Sequence, residues 1–445
     1  MPFPARRPAA ALLTAVACVV TAVFVTTGSA AAVITTTTST SATSQGASGT
    51  STSGAPNECP NKQSPPAAED DAEQPAAGSA APKPLPVPAD PVGGDQLGKC
   101  GFVLPPDAAT APPSEVNASS WVLADLDTGA VLAAKDPHAR QRPAALIKVL
   151  LAVVALNDLK PNTPVLITQE DVDAAKGYSA VGVPAGGKYT VTQLVEAMLL
   201  KPGNDVPNAL ARALGGVPKT LDLMNAAAQQ MGALDTRVAT PGGLDGPGMS
   251  TSAYDLAVIY RHAMQLPAFA DAAAVKSVTL GGVYVHNTDS LLTSYTGAIT
   301  GISSNTTDAH STNLSSAGKN GHRLVTVLLR GETTKYPMYL QSSKLLDYGF
   351  ALTAAGAHQV GTLVDQAPPV KPSVSATSSA STSTDAANVT NAADNSPMYQ
   401  AFGNVGMPLT IVAGLGVLVV LAMYVRKRRA RAARARRLAA QANNV

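Results

Sequence analysis

The sequence predicts an α+β layer fold for residues 114–353, with an antiparallel sheet built from both ends of the domain and flanked by helices. Three observations carry this. A hairpin pattern opens the stretch, helical patterns fill its middle, and strand patterns return near its end. Strands at both ends of one stretch form one sheet only if the two ends come together in the fold.

Each element follows from local pattern. Trp121-Val122-Leu123-Ala124-Asp125-Leu126 reads as a strand, Asp127-Thr128-Gly129 as a turn, and residues 130–133 as the return strand. The run from Val149 to Leu156 has no polar residue, so a helix starting at Ala145 is buried on most sides. Lys148 is the one charge at its head, and a buried ammonium is costly unless paired or neutralised. Helical signals continue over 192–200, 206–214, 221–231 and 253–264. Strand signals return over 277–280 and 283–286, around Gly281-Gly282, and over 322–329 after the turn Lys319-Asn320-Gly321. A helix over 338–348 closes the domain. Some 240 residues suffice for a large core.

The flanks have a different composition. Residues 1–32 read as a secretory signal: Arg6 and Arg7, an apolar run, then small residues near Ala30. Cys18 lies inside that run, with more apolar residues after it, and reads as part of the signal rather than as a lipid-bearing cysteine. Residues 33–113 read as an extracytoplasmic linker, rich in Ser and Thr and then in Pro, and 354–403 as a second linker rich in Ser and Thr. Residues 404–425 read as a transmembrane helix; from Met407 to Val425 they carry no charge. Eight Arg and Lys residues crowd the tail, 426–445, which places it in the cytoplasm and the domain outside. Lipid head groups, not nucleic acid, are the expected contact of that tail.

Export explains the charge. The whole chain has 32 basic and 30 acidic residues, but ten of the basic ones lie in the signal and the tail. The exported part keeps 22 against 30, about −8, which excludes a polyanion binder. It also keeps two cysteines, Cys59 and Cys100, which suggests one disulfide ahead of the domain. In the loop-entropy model such a bridge is worth roughly 3–4 kcal/mol. The six histidines show no metal-ligand spacing and no phosphate loop is visible, so no cofactor or metal is expected.

A series of stretches, in order, resembles the serine D-alanyl-D-alanine carboxypeptidases of the penicillin-binding-protein and β-lactamase-like superfamily, of the membrane-anchored actinobacterial type. They are 124–129, Arg142-Pro143-Ala144, Gly203-Asn204-Asp205, 240–248, 250–256, Tyr295 with Gly297-Ala298, and 319–324. The resemblance implies a transpeptidase-like fold and three active-site motifs. In the first, Ser-x-x-Lys, the serine attacks and the lysine takes its proton. This chain has Ala145 and Lys148 there. With no serine to deprotonate, Lys148 reads as an inherited helix lysine bonded to a neighbour. In the second, Ser-x-Asn, the chain has Pro202, Gly203 and Asn204. The relay hydroxyl is gone; Asn204 either binds an amide or caps the next helix. In the third, Lys-Thr-Gly, the matching positions are Ile302, Ser303 and Ser304, or one residue later Ser303-Ser304-Asn305. The carboxylate-binding lysine is absent in either register. Ser316-Ala317-Gly318-Lys319, Lys219-Thr220, Ser303-x-Asn305 and Ser311-x-Asn313 match motif fragments in the wrong context.

The resemblance therefore implies a pseudoenzyme outside the cytoplasmic membrane, with Lys148, Asn204 and Ser303 as residues that could still hold a ligand. A peptidoglycan stem peptide or a cell-wall protein is the implied partner. The rivals are an active carboxypeptidase that trims stem peptides and a spacer that binds nothing.

Overall fold

The computed structural model describes residues 59–369. The stretches read from the sequence as signal peptide, transmembrane helix and basic tail lie outside them. Among the described residues no helix is long and apolar enough to cross a membrane.

The chain enters the sheet with β1 (Phe102–Val103), β2 (Ser120–Asp125) and β3 (Ala130–Lys135). The turn between β2 and β3 is closed by Asp125, whose Oδ1 accepts from the Asp127 and Thr128 amides at 2.9 and 2.8 Å. Gly129, at φ 77°, completes it in a backbone region that favours glycine. A short 3-10 turn, Ala144–Ile147, leads into α1 (Lys148–Asp158), buried from Lys148 through Ala155.

The helical layer follows. It holds β4 (Pro164–Leu166), α2 (Gln169–Asp173), β5 (Lys188–Thr190), α3 (Val191–Leu200), α4 (Asp205–Ala213), α5 (Val217–Met231), α6 (Ala253–Met264) and α7 (Pro267–Ala274). Thr168 and Thr190 start α2 and α3 with reciprocal capping bonds. A small hairpin, β6 (Ser277–Leu280) and β7 (Val283–His286), and α8 (Leu291–Ser294) bring the chain back to the sheet. There β8 (Ala298–Thr306), β9 (His310–Lys319) and β10 (His322–Gly331) run antiparallel, before α9 (Met338–Ala354) and β11 (Gly361–Thr362).

The main sheet has the order β1-β3-β2-β10-β9-β8, with β11 also on β3. Thus the N-terminal hairpin pairs with the C-terminal strands through β2 and β10, and every pairing is antiparallel. Two cores explain the layering. Val325, Val327 and Leu329 of β10 pack with α1 and α6, while Leu324 and Leu328 pack with α9 on the other face. Alternate residues of one strand thus serve opposite cores, which is why the middle of β10, Leu324 to Leu329, is apolar except for Thr326.

Three boundaries differ from the sequence reading. Residues 59–113 are not a free linker. Cys59 and Cys100 are bonded, and Val92 and Leu97 are buried in the main core. Buried Arg140 donates to the carbonyls of Gln63, Leu85 and Pro86, at 2.7, 2.7 and 2.9 Å. Backbone carbonyls need no apolar side chains to dock, so a Pro-rich segment can pack tightly. At the other end, α9 runs on to Ala354 and β11 joins the sheet beyond residue 353, with Val360 and Leu363 in the core. Finally, β9 is a full ten-residue strand in a Ser- and Thr-rich stretch to which the sequence reading gave no strand range.

Candidate functional site

The head of α1, the entry to α4, the loop 240–245 and the end of β8 converge on one cleft of about 380 Å³. Ala145 and Lys148 form its floor, with Pro202, Asn204, residues 242–245 and residues 304–307 around them.

The backbone at the floor is strained. Ala144 has φ 47°, an uncommon conformation for a residue with a side chain. Gly243 packs so close that a Cβ there would lie 1.9 Å from the Ala144 carbonyl oxygen. This shape aims the residue at position 145 into the cleft. The residue so aimed is an alanine, 5% exposed.

Lys148 is buried, and its Nζ donates to the Gly242 carbonyl. Burial pulls its pKa down to about 7, only partly offset by the nearby Asp205 carboxylate. Asp205 itself accepts from the Val181 and Gly182 amides, at 2.9 and 2.8 Å, and so fixes the loop before α3's hairpin strand on the cleft's far side. Asn204 makes no capping bond to α4. Its Nδ2 reaches the Ser179 carbonyl at 3.5 Å and its Oδ1 lies against Gly242. The side-chain cap that the sequence allowed is therefore not made, and the Asn204 side chain lines the cleft.

The third motif divides across β8. The Ser304 hydroxyl accepts from the Ala145 amide at 3.2 Å, so a side chain fills the place opposite the floor. This fits the register Ile302-Ser303-Ser304. Ile302 is 4% exposed and belongs to the main apolar core. Ser303 points the other way: it donates to Asp289 at 2.5 Å and accepts from Asn313 at 2.8 Å. The structure therefore gathers Ala145, Lys148, Pro202, Asn204 and Ser304 in the cleft, and leaves Ile302 and Ser303 outside it. Alternation along the strand explains Ser303, which faces away from its neighbours, while Ile302 shares the face of Ser304 but is buried in the main core.

The decoys resolve simply. Ser316 is buried in β9 and shares a 2.7 Å hydrogen bond with Tyr260. Sequence reasoning missed two groups at the cleft. Asp245, in a stretch quoted only for its resemblance, lines it, and burial pushes its carboxyl above the ordinary range. Asp70 and Ala72, from the segment read as linker, line its mouth. No local signal marks Asp70 and Ala72, because their segment is held at the cleft by long-range ion pairs of Glu69 and Glu73.

Chemically, the cleft holds a near-neutral amine, an amide, hydroxyls and carboxylates, but no hydroxyl on residue 145. Covalent catalysis requires nucleophile and activator together. Ala145, at the floor, carries no group that could attack a carbonyl.

Comparison with known proteins agrees with this geometry. Residues 107–333 match the family model described as D-alanyl-D-alanine carboxypeptidase. The chain is 42% identical over 253 residues to D-alanyl-D-alanine carboxypeptidase DacB2 of Mycobacterium tuberculosis, covering 55% of this chain and 86% of that protein. It is 31% identical over 252 residues to DacD of Salmonella typhimurium, covering 54% of this chain and 64% of that protein. Among solved structures, a D-alanyl-D-alanine carboxypeptidase from M. tuberculosis superposes with a TM-score of 0.55 at 40% identity, covering 59% of this chain and all of that one. Penicillin-binding protein 6B of Escherichia coli superposes with a TM-score of 0.50 at 30% identity, covering 55% and 80%. With strand order, cleft and motif positions all in place, the chain belongs to the D-alanyl-D-alanine carboxypeptidase family.

Proposed function

We propose that this chain is a catalytically inactive member of its family, which binds wall peptide or a protein partner outside the cytoplasmic membrane without cleaving it. The observation that supports the reading is Ala145 at the floor of a retained cleft. Strain at Ala144 and the Gly243 contact are kept around a side chain that cannot react.

The charge of the cleft narrows its ligand. Among the described lining residues Lys148 is the only cation, and burial lowers its pKa to about 7, so at pH 7 it carries its charge only part of the time. Asp70 and Asp245 line the same space. A peptide ending in a free carboxylate finds only this partly charged amine there, already bonded to the Gly242 carbonyl. A peptide whose terminal carboxyl is amidated, or a protein loop, fits better.

One observation favours a second reading, an active enzyme with a displaced nucleophile. Ser304 brings a hydroxyl against the Ala145 backbone. However, Lys148 is bonded to Gly242, and no hydrogen bond joins it to Ser304. Incubation of the full-length chain with a penicillin tests both readings. Intact mass spectrometry is expected to show no stoichiometric adduct. An adduct on Ser304 would establish the displaced nucleophile, and an adduct on Ser316 would overturn the assignment of the motif. Retention of an amidated D-Ala-D-Ala peptide by the immobilised chain separates a binder from a spacer.

Anchoring by residues 404–425 belongs to the same proposal. Protease added to intact spheroplasts is expected to remove the large domain and spare the tail from Arg426, because eight cationic residues do not cross a bilayer readily. A digested tail with a protected domain would invert the topology.

A further inference from the structure

We infer that the disulfide-closed arm, residues 59–100, is a built-in cover for the cleft, latched by ion pairs that must release before a ligand enters. The arm's root is firm. Cys59 is tied to Cys100, and Arg140 clasps three arm carbonyls. Its middle crosses the cleft, where Asp70 and Ala72 stand in the same space as Ala145 and Lys148.

The latches are polar and sit on both sides of that crossing. The Glu73 carboxylate takes a two-pronged hydrogen bond from Arg142, three residues before Ala145. The Glu69 carboxylate meets His310 Nε2 at 2.7 Å and Arg330 Nη2 at 3.0 Å, and its amide donates to Asp308. Asp308 lies in the turn that follows β8, and His310 opens β9, next to cleft residues 304–307. The arm therefore bridges the two walls of the cleft, from the head of α1 to the end of β8.

What holds the crossing is not apolar burial. Residues 67–72 are exposed, and none belongs to either core. A segment with few buried contacts opens at far lower free energy than the fold around it. Two-pronged Arg–carboxylate pairs give such a segment one definite closed position. The arm also precedes residues 107–333, which match the family model, so the cover is an addition to the shared domain.

A thiol at the cleft floor reads the cover directly. Ala145→Cys in the full-length chain is expected to react slowly with a small maleimide. Adding Glu69→Gln and Glu73→Gln is expected to raise that rate at least about tenfold, since the charge-assisted bonds closing the mouth are lost. An unchanged rate overturns the inference. Hydrogen exchange on the Glu69→Gln, Glu73→Gln chain without the added cysteine supplies a second reading. Faster exchange confined to residues 67–75 supports a cover. Faster exchange spreading into α1 would mean that the pairs hold the fold instead, and overturns it. Neither measurement uses a ligand, so each fails or succeeds apart from the binding function proposed above.

Discussion

Ala145→Ser alone is expected to release no measurable D-alanine from a peptide ending in D-Ala-D-Ala. The substitution returns a hydroxyl near Lys148, whose pKa of about 7 suits a base at neutral pH. It does not return the rest. The Ala145 amide, a donor that could face the oxygen of an attacked carbonyl, already donates to Ser304. Pro202 still lacks a relay hydroxyl. Loss of a serine nucleophile typically costs on the order of a million-fold in turnover, and nucleophile and partners act as a unit, so one restored part recovers little. Ala145→Ser with Ser304→Gly and Pro202→Ser is expected to give weak release above background. Adding Ile302→Lys is expected to unsettle the fold, because position 302 is buried in the apolar core and an unpaired ammonium there costs several kcal/mol. Release of D-alanine is the measurement. Turnover by the single mutant at rates ordinary for an active carboxypeptidase would show that Ser304 and Pro202 obstruct nothing.

The parts of this molecule that were legible in its sequence are those in which one strong pattern decides. The Asp127-Thr128-Gly129 turn, the apolar run of α1 and the Gly281-Gly282 hairpin are read from a few neighbouring residues, and the structure has them there. The extent of strand β9 was not legible, because its polar residues are satisfied by partners across the fold. Asn313 accepts from Ser315 at 2.7 Å and from Ser342 of α9, while Ser316 pairs with Tyr260 of α6. Buried hydroxyls in such a network look, in sequence, like a solvated loop. The arm was hidden for a related reason. Its attachment uses backbone carbonyls facing Arg140 and two carboxylates facing Arg142 and Arg330, partners that are 54 to 261 residues apart in sequence. Motif alignment placed Ala145, Pro202 and Ile302 in a row of substitutions, but only the fold shows that Ser304 faces the floor and Ser303 does not.

Lys148→Met is expected to stabilise the chain at pH 7 and to lose that advantage at pH 10. Burial holds the folded-state pKa of Lys148 near 7, against an ordinary value of 10.5. Between those values the unfolded chain binds more protons than the folded one, so the stability of the natural chain rises with pH across this window. The lysine's contribution is fully favourable only above 10.5, and it is lost as pH falls towards 7. At 1.36 kcal/mol per unit, the penalty at pH 7 is on the order of 4 kcal/mol. Methionine removes it, but leaves the buried Gly242 carbonyl without its donor, which takes back about 1–3 kcal/mol. Urea unfolding followed by the fluorescence of Trp121, the chain's single tryptophan and fully buried, gives the comparison at each pH. A stability difference that does not change between pH 7 and pH 10 would mean that Lys148 is charged in the fold and paired. The same variant also tests why the lysine persists without a serine. If the methionine chain is more stable and still retains the amidated peptide, Lys148 is a remnant of lost chemistry. If retention falls, the lysine is kept for the ligand, and its free-energy cost at pH 7 is the cost of binding.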